Sequence, residues 1–356
     1  MLGVDFMNGF GSAMSGKIQR LALSIGLAVV AVGGVRTIYP SASQVITMSP
    51  LLLNADNPNQ RQVGALDFIA AWELNSRNDN FGGLSSLTAA DDGRFIGVTD
   101  SAMLIGFTLS QPDQVSSTFI KQLPNSREIG TNYKDRDSEG IAYDAQSKQF
   151  WISFEGHHAI RRYSASLSRV TGVARPAEMQ NWPKNKGAET IIRRNDGKFI
   201  VIAESVESGT HPALLFSGDP ISKATKITAF RVRPPTGYRV TDASQLPDGR
   251  IILLNRSIGF PQGFSAKVSI LDPRPIRSGV IVSTSVIASL ASPVLIDNME
   301  GIAVTKDGNA IYLWLISDNN FSIFQRTILM KFRLSDRIAG DVGNKKPVAI
   351  NAPGIL

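Results

Sequence analysis

The stretch EGIAVTKDGNAIYL, Glu300 to Leu313, decides the fold. An apolar run leads into Asp307-Gly308, and a second apolar run leads out. Asp-Gly between two such runs is the strongest short-range hairpin signal, because a tight turn between right-twisted strands needs positive φ. The stretch is also flanked by acids, Asp297 and Glu300 at its start and Asp318 beyond its end. Carboxylates gathered at one end of a hairpin repel one another, so their placement needs a reason.

The pattern recurs. GLSSLTAADDGRFIGVTDS begins at Gly83, EGIAYDAQSKQFWISFEG at Glu139, ETIIRRNDGKFIVIAES at Glu189, and DASQLPDGRIILLNRS at Asp242. Four of the five turns contain Asp-Gly; Ser147 stands at the turn of the second. Taking Asp92, Ser147, Asp196, Asp248 and Asp307 as reference, the intervals are 55, 49, 52 and 59 residues. Two further strand-like runs follow each of the middle hairpins, for example AIRRYSA (Ala159–Ala165) and RVTGVARP (Arg169–Pro176). After the last hairpin only TILMKFRL remains. LDFIAAWEL (Leu66–Leu74), which has no hairpin of its own, can supply its missing strand. Four antiparallel strands per repeat, with the two chain ends sharing one blade, predict an all-β protein, a closed β-propeller. Closure pairs strand edges that would otherwise invite aggregation. The count gives five blades, six if a long connection hides another.

In such a blade the first strand lines the channel and the second runs back beside it. The start of the first and the end of the second therefore share one rim, opposite the Asp-Gly turn. Eight residues beyond the turn positions stand Asp100, Glu155, Glu204 and Arg256; the longer last repeat reaches Asp318. First strands open at Glu139 (preceded by Asp137), Glu189, Asp242, and Glu300 (preceded by Asp297). Like charges this close raise each other's pKa or require a cation. Hard oxygens without thiolates favour Ca²⁺ or Mg²⁺ over zinc, and loops offering six to eight loosely arranged oxygens favour Ca²⁺. The candidate metal ligands are Asp137, Glu139, Glu155, Glu189, Glu204, Asp242, Asp297, Glu300 and Asp318. Glu189, Arg256 and Lys186 are the candidate catalytic and substrate-clamping residues. His157 and His158, just beyond Glu155, could supply a further ligand or base, or stand as histidines of an exposed loop.

The 356 residues carry a net charge of +7, 43% hydrophobic and 19% charged residues, and no cysteine. The missing cysteines exclude disulfides, thiolate zinc sites and a cysteine nucleophile. The basic excess is spread without a Lys/Arg run, which argues against nucleic acid and for a small anionic or ester substrate. No G-x-S-x-G elbow, P-loop or G-x-G-x-x-G cradle occurs. Near the start, Lys17 and Arg20 precede the apolar Leu21–Val35, with small residues at Ser41, Ala42 and Ser43. Residues 1–43 read as a secretory signal cleaved after Ser43, or as a membrane anchor if retained; 15 apolar or small residues are short of the about 20 that span a bilayer. The expected organisation is this leader, a propeller domain over residues 60–336, and a C-terminal tail over 337–356. The protein is expected in the periplasm or secreted, as a monomer, touching membrane only through an uncleaved leader.

The ordered motifs resemble the bacterial phytase-like domain proteins, the family described as esterase-like activity of phytase. They stand here as GGLSSL (Gly82–Leu87), DSEGIAYD (Asp137–Asp144), NKGAE (Asn185–Glu189), TDASQLPDGR (Thr241–Arg250), DNMEGIA (Asp297–Ala303) and SDNNF (Ser317–Phe321). Thr190 replaces the glycine usual after the third motif's glutamate, and Asn255 the acid usual before Arg256. The resemblance implies a secreted, calcium-dependent hydrolase of phosphate or other esters. Two other readings stay open, a non-catalytic propeller that calcium stabilises around a periplasmic ligand or protein, and a lactonase-like hydrolase.

Overall fold

The computed structural model describes residues 43–110, 114–124 and 136–339. Of the predicted leader, residues 1–43, only Ser43 is described, and of the predicted tail, residues 337–356, only residues 337–339; the rest lie outside the described residues. The first described strands are β1 (Ile46–Leu51), the two-residue β2 (Gln62–Val63) and β3 (Leu66–Ser76). Blade I is β4 (Leu84–Ala89), β5 (Arg94–Thr99), β6 (Met103–Ser110) and β7 (Gln114–Gln122). Blade II is β8 (Ser138–Tyr143), β9 (Phe150–Phe154), β10 (Ala159–Tyr163) and β11 (Val170–Ala174). Blade III is β12 (Ala188–Arg193), β13 (Phe199–Ala203), β14 (His211–Phe216) and β15 (Ile227–Arg233). Blade IV is β16 (Arg239–Gln245), β17 (Ile251–Gly259), β18 (Gly263–Leu271) and β20 (Ser285–Ala291). Blade V is β21 (Met299–Asp307), β22 (Ala310–Ser317), β23 (Thr327–Leu334) and β3. The described residues thus make a five-bladed propeller, and β3 pairs antiparallel with β23, Leu74 opposite Thr327, closing the ring as the sequence predicts.

Two strands depart from the expectation. The run Gly279–Leu290, the second strand-like run after the fourth hairpin, is divided between two blades. Its first part, β19 (Ile281–Ser283), pairs in parallel with β15 and joins blade III, while its second part completes blade IV. Val282, buried in the apolar cluster shared by blades III and IV, fixes that crossing. The sheet also begins before residue 60. β1 pairs with β3 from Ile46–Ser76 to Leu51–Ala71, and Gln44 reaches blade I, accepting from Ile120 N–H and Thr118 Oγ1.

Apolar side chains from neighbouring sheets interlock between blades. Phe150, Phe154 and Tyr163 pack with Ile96 and Leu104 between blades I and II; Trp151, Phe199 and Phe216 fill the next interface. Where blade V meets blade I, Trp72 stacks on Trp314 with centroids 6.5 Å apart, and Phe95 closes on Trp314 at 4.7 Å.

His211 bonds blade III to blade IV. Its buried ring accepts from Val240 N–H at Nε2 (3.2 Å), so Nδ1 carries the proton and donates to Ala203 O (2.8 Å). Burial lowers its pKa to about 4, so it stays neutral across the physiological range. His211→Ala leaves Val240 N–H buried and unpaired, and should lower stability by about 1–3 kcal/mol in a urea titration.

Candidate active site

Each first strand carries an irregularity in register at the same place, between Leu84 and Ser86, Ser138 and Ile141, Ala188 and Thr190, Val240 and Asp242, and Met299 and Gly301. A bulge inserts an extra residue and re-aims its side chain. The inserted residues include Ser85, Glu139, Glu189, Thr241 and Glu300. Four of these, all but Thr241, line a cavity of about 220 Å³ at one end of the channel. The ends of the second strands supply the rest of its wall. Asp100, Glu155, Glu204, Arg256 and Asp318, the five residues at the predicted offset from the turns, all line it, joined by Asp137 and Asn320.

Eight carboxylates therefore face one guanidinium. Oxygens of Asp137, Glu139 and Glu155 lie within 4.8 Å of one another. Arg256 Nη1 meets Glu300 Oε1 at 2.5 Å and donates to Asn298 Oδ1, which pins the cation to the wall shared by blades IV and V. Burial, then the charges of Asp137 and Glu189, holds Glu139 well above the ordinary carboxylate pKa. Glu189 rises likewise through burial and the charges of Glu204, Glu300 and Glu155, against the opposing pull of Arg256. Burial and Asp137 bring Glu155 to about 8. Burial raises Glu300 to about 7, the Arg256 charge opposing it. Asp318 is pushed up by burial and by Asp100. Without a cation, Glu155 and Glu300 take up protons near neutrality.

Three predicted site residues stand apart. Asp242 points into the axis of the propeller. Its Oδ2 accepts from Ser86 Oγ (2.9 Å), Leu87 N–H (3.3 Å) and Ile302 N–H (2.9 Å); its Oδ1 accepts from Thr190 Oγ1 (3.1 Å) and Ala243 N–H (2.8 Å). The position equivalent to Glu139, Glu189 and Glu300 is the bulge residue Thr241, and one step along a strand reverses the face. Asp297 accepts from Asn298 N–H at 2.9 Å and Arg326 N–H at 3.1 Å, and does not line the cavity. Lys186, the expected clamp, lies in the turn before β12, where its carbonyl accepts from Ser205 N–H; it is exposed and does not line the cavity. His157 and His158 do not line it either. Conversely, Asp100 and Ser85 belong to the wall but not to the predicted ligand set. The turn offset reaches Asp100, and alignment with Glu139 places Ser85.

The axial layer explains the glycine in both EGIA segments. A Cβ on Gly140 would stand 2.8 Å from Ile191 N in the next blade, and one on Gly301 would stand 2.9 Å from Leu87 N. The inner strands approach so closely there that only glycine fits.

Residues 79–321 match the sequence family described as Phytase-like, esterase-like activity of phytase. No curated protein matches the chain. Among solved structures, a glutaminyl cyclase from Myxococcus xanthus is similar at 16% identity and a TM-score of 0.46, covering 76% of this chain and 96% of its own. A gluconolactonase from Xanthomonas campestris is similar at 13% identity and a TM-score of 0.39, covering 84% and 99%.

Proposed function

The chain belongs to the phytase-like family, and from that premise we propose that it is a divalent-cation-dependent hydrolase of phosphate or other esters, working at the acidic mouth. One observation carries the reading, the convergence of eight carboxylates and one arginine on a cavity of about 220 Å³. The residues fit a hard cation. They are oxygen donors, several of them buried, among which Glu139, Glu155, Glu189, Glu300 and Asp318 have raised proton affinity, and they outnumber the facing positive charge. Asp137, Glu139 and Glu155 would hold Ca²⁺, with Glu189, Glu204, Glu300 and Asp318 as further donors around the ring. Bound there, the cation would neutralise the wall and polarise an ester oxygen. Arg256, fixed by Glu300 and Asn298, would clamp the anionic group and stabilise charge developing on it. Glu189, between Glu155, Glu204 and Glu300, would orient the attacking water and take its proton.

The assay is turnover of a chromogenic phosphate ester and a chromogenic carboxylic ester, with calcium and with chelator. Calcium-dependent turnover of one class is expected. Arg256→Met should lower kcat/KM on that class by about a hundredfold, the effect of removing one transition-state charge donor. Absence of metal-dependent turnover, together with a chelator-sensitive melting temperature, would leave the calcium-stabilised binding propeller in its place.

We further propose that the protein is exported and that its leader ends at Ser43. The next residue, Gln44, anchors β7, and Ser43 O accepts from Asn78 Nδ2 at 2.6 Å, so the described fold reaches this point. N-terminal sequencing of the exported chain should read Gln44 first; a start far inside β1 would refute this.

A further inference from the structure

The two ends of the propeller differ in their chemistry. The far end carries the polar hairpin turns, each with its own ion pair where a basic residue follows, as in Arg94–Asp92, Lys198–Asp196 and Arg250–Asp248. The mouth end carries bare apolar tips. In the β17–β18 hairpin of blade IV, Phe260 is 98% and Ile258 is 62% exposed; in the β22–β23 loop of blade V, Ile323 is 92% and Phe324 is 88% exposed. Ile258 lies two residues beyond Arg256, and Ile323 three beyond Asn320. Arg256 and Asn320 both line the cavity, so the two tips flank its opening. Single exposed apolar residues are ordinary, but four on neighbouring loop tips at one end are a surface that meets something. The far-end turns, built from the same repeat, show that the hairpins themselves do not require apolar tips.

The surroundings indicate what they meet. Arg77 follows β3 at this end, Arg239 opens β16, and Arg326 precedes β23; Lys184 and Lys186 stand exposed before β12. Arg326 makes only loose pairs, 3.9 Å to Glu73 and 4.0 Å to Asp297. Of the carboxylates at the same end, Glu155, Glu189 and Asp318 are buried in the cavity, Arg239 covers Glu204 at 3.3 Å and Arg231 pairs with Glu207 at 3.1 Å, while Asp79 and Glu178 stand exposed among the more numerous cations. Among the described residues the outward face thus carries an excess of cations around protruding aromatic and aliphatic tips. That combination suits the boundary between headgroups and acyl chains of an anionic bilayer, where apolar side chains enter and Lys/Arg meet lipid phosphate.

We propose that the mouth end docks on an anionic lipid surface through Phe260, Phe324, Ile258 and Ile323, so that the esters reaching the cavity are carried by lipid. Docking stands on the surface alone; the lipid-borne substrate class rests on the hydrolytic reading. It extends membrane contact beyond the leader, where the sequence confined it.

The test uses the full chain carrying Phe324→Trp, mixed with vesicles of phosphatidylglycerol and phosphatidylcholine, or of phosphatidylcholine alone, in chelator. A Trp at residue 324 reports insertion of that tip whatever the leader does. The expected result is a blue shift of the new emission and its quenching by brominated lipid on the anionic vesicles, weakened by high salt. Phe260→Ser combined with Phe324→Ser should weaken partitioning by about tenfold or more. No shift or quenching on anionic vesicles would overturn the proposal. So would a shift that grows with protein concentration without vesicles, which would make a second copy the occupant. Binding that needs calcium and survives the double substitution would place lipid phosphate in the cavity and overturn tip docking. Insertion with no turnover in the calcium assay of the chromogenic esters would sink the hydrolytic reading alone; turnover in that assay without insertion would sink docking alone.

Discussion

Calcium added to the chelated protein at pH 8 should raise its melting temperature by roughly 5–15 °C, and at pH 6 by much less. The sign follows from the wall of the mouth. Burial and neighbouring acids lift Glu155 to about 8 and Glu300 to about 7, above the ordinary glutamate value near 4.3 that each regains on unfolding. A carboxyl whose folded pKa is raised binds its proton more tightly in the folded state. Its contribution is complete below the unfolded value and is lost as pH rises through the folded one, at up to about 1.4 kcal/mol per pH unit for each group. Chelated protein should therefore weaken between pH 5 and pH 8. His211 works in the opposite direction, because its folded value of about 4 lies below that of the free side chain; its contribution is present above about 6.5 and fades below. The comparison of pH 6 with pH 8 leaves the carboxyls in command. Calorimetry with and without chelator decides the matter. Equal melting temperatures in calcium and chelator at pH 8 would mean that the ring tolerates its own charge and that the cation reading fails.

Much of this was legible from residue order. Five turns at a regular interval, with Leu66–Leu74 left over to pair with Thr327–Leu334, specify a closed ring, because an antiparallel hairpin can pair only with its neighbours. Asp100, Glu155, Glu204, Arg256 and Asp318 were reachable by counting from the turns, since a second strand of near-constant length returns the chain to one rim. The first strands were harder. Each contains a bulge, and a bulge changes parity without changing composition, so Asp242 aligned with Glu139 and Glu300 although it faces the axis. β19 was also beyond reach. A short apolar run pairs with whichever edge is exposed, and blade III offers β15 at that edge. The glycine in EGIA reads as permissive in the sequence; only the neighbouring strand, 2.8 Å from where a Cβ would stand on Gly140, makes it obligatory.

Asp242→Ala should be the most damaging single substitution in the molecule, costing about 3–5 kcal/mol, the range for removing one partner from a buried charged network. For a chain of this size that is a fall of roughly 10 °C in melting temperature. The carboxylate gathers donors from blades I, III, IV and V around the axis. Without it, the N–H groups of Leu87, Ala243 and Ile302 lose their acceptor in a buried layer, and each unpaired group costs on the order of 1–3 kcal/mol. Asp242→Asn keeps one acceptor oxygen but turns an amide N–H₂ toward other donors, so it should recover only part of the loss. The same variants separate the two roles open to this residue. If Asp242 held the cation, its loss would abolish the calcium-induced rise in melting temperature. As the hub of the inner strands, it sits behind the bulges that aim Glu139, Glu189 and Glu300 into the mouth. The weakened variants should then keep that rise at pH 8 almost whole, measured at a temperature where they remain folded. A lost calcium response in a folded Asp242→Asn protein would return this residue to the mouth and undo the assignment of the axial layer. Five blades share one axis and one short layer of hydrogen bonds, so the rigidity that holds eight carboxylates within a single cavity is supplied from beneath it.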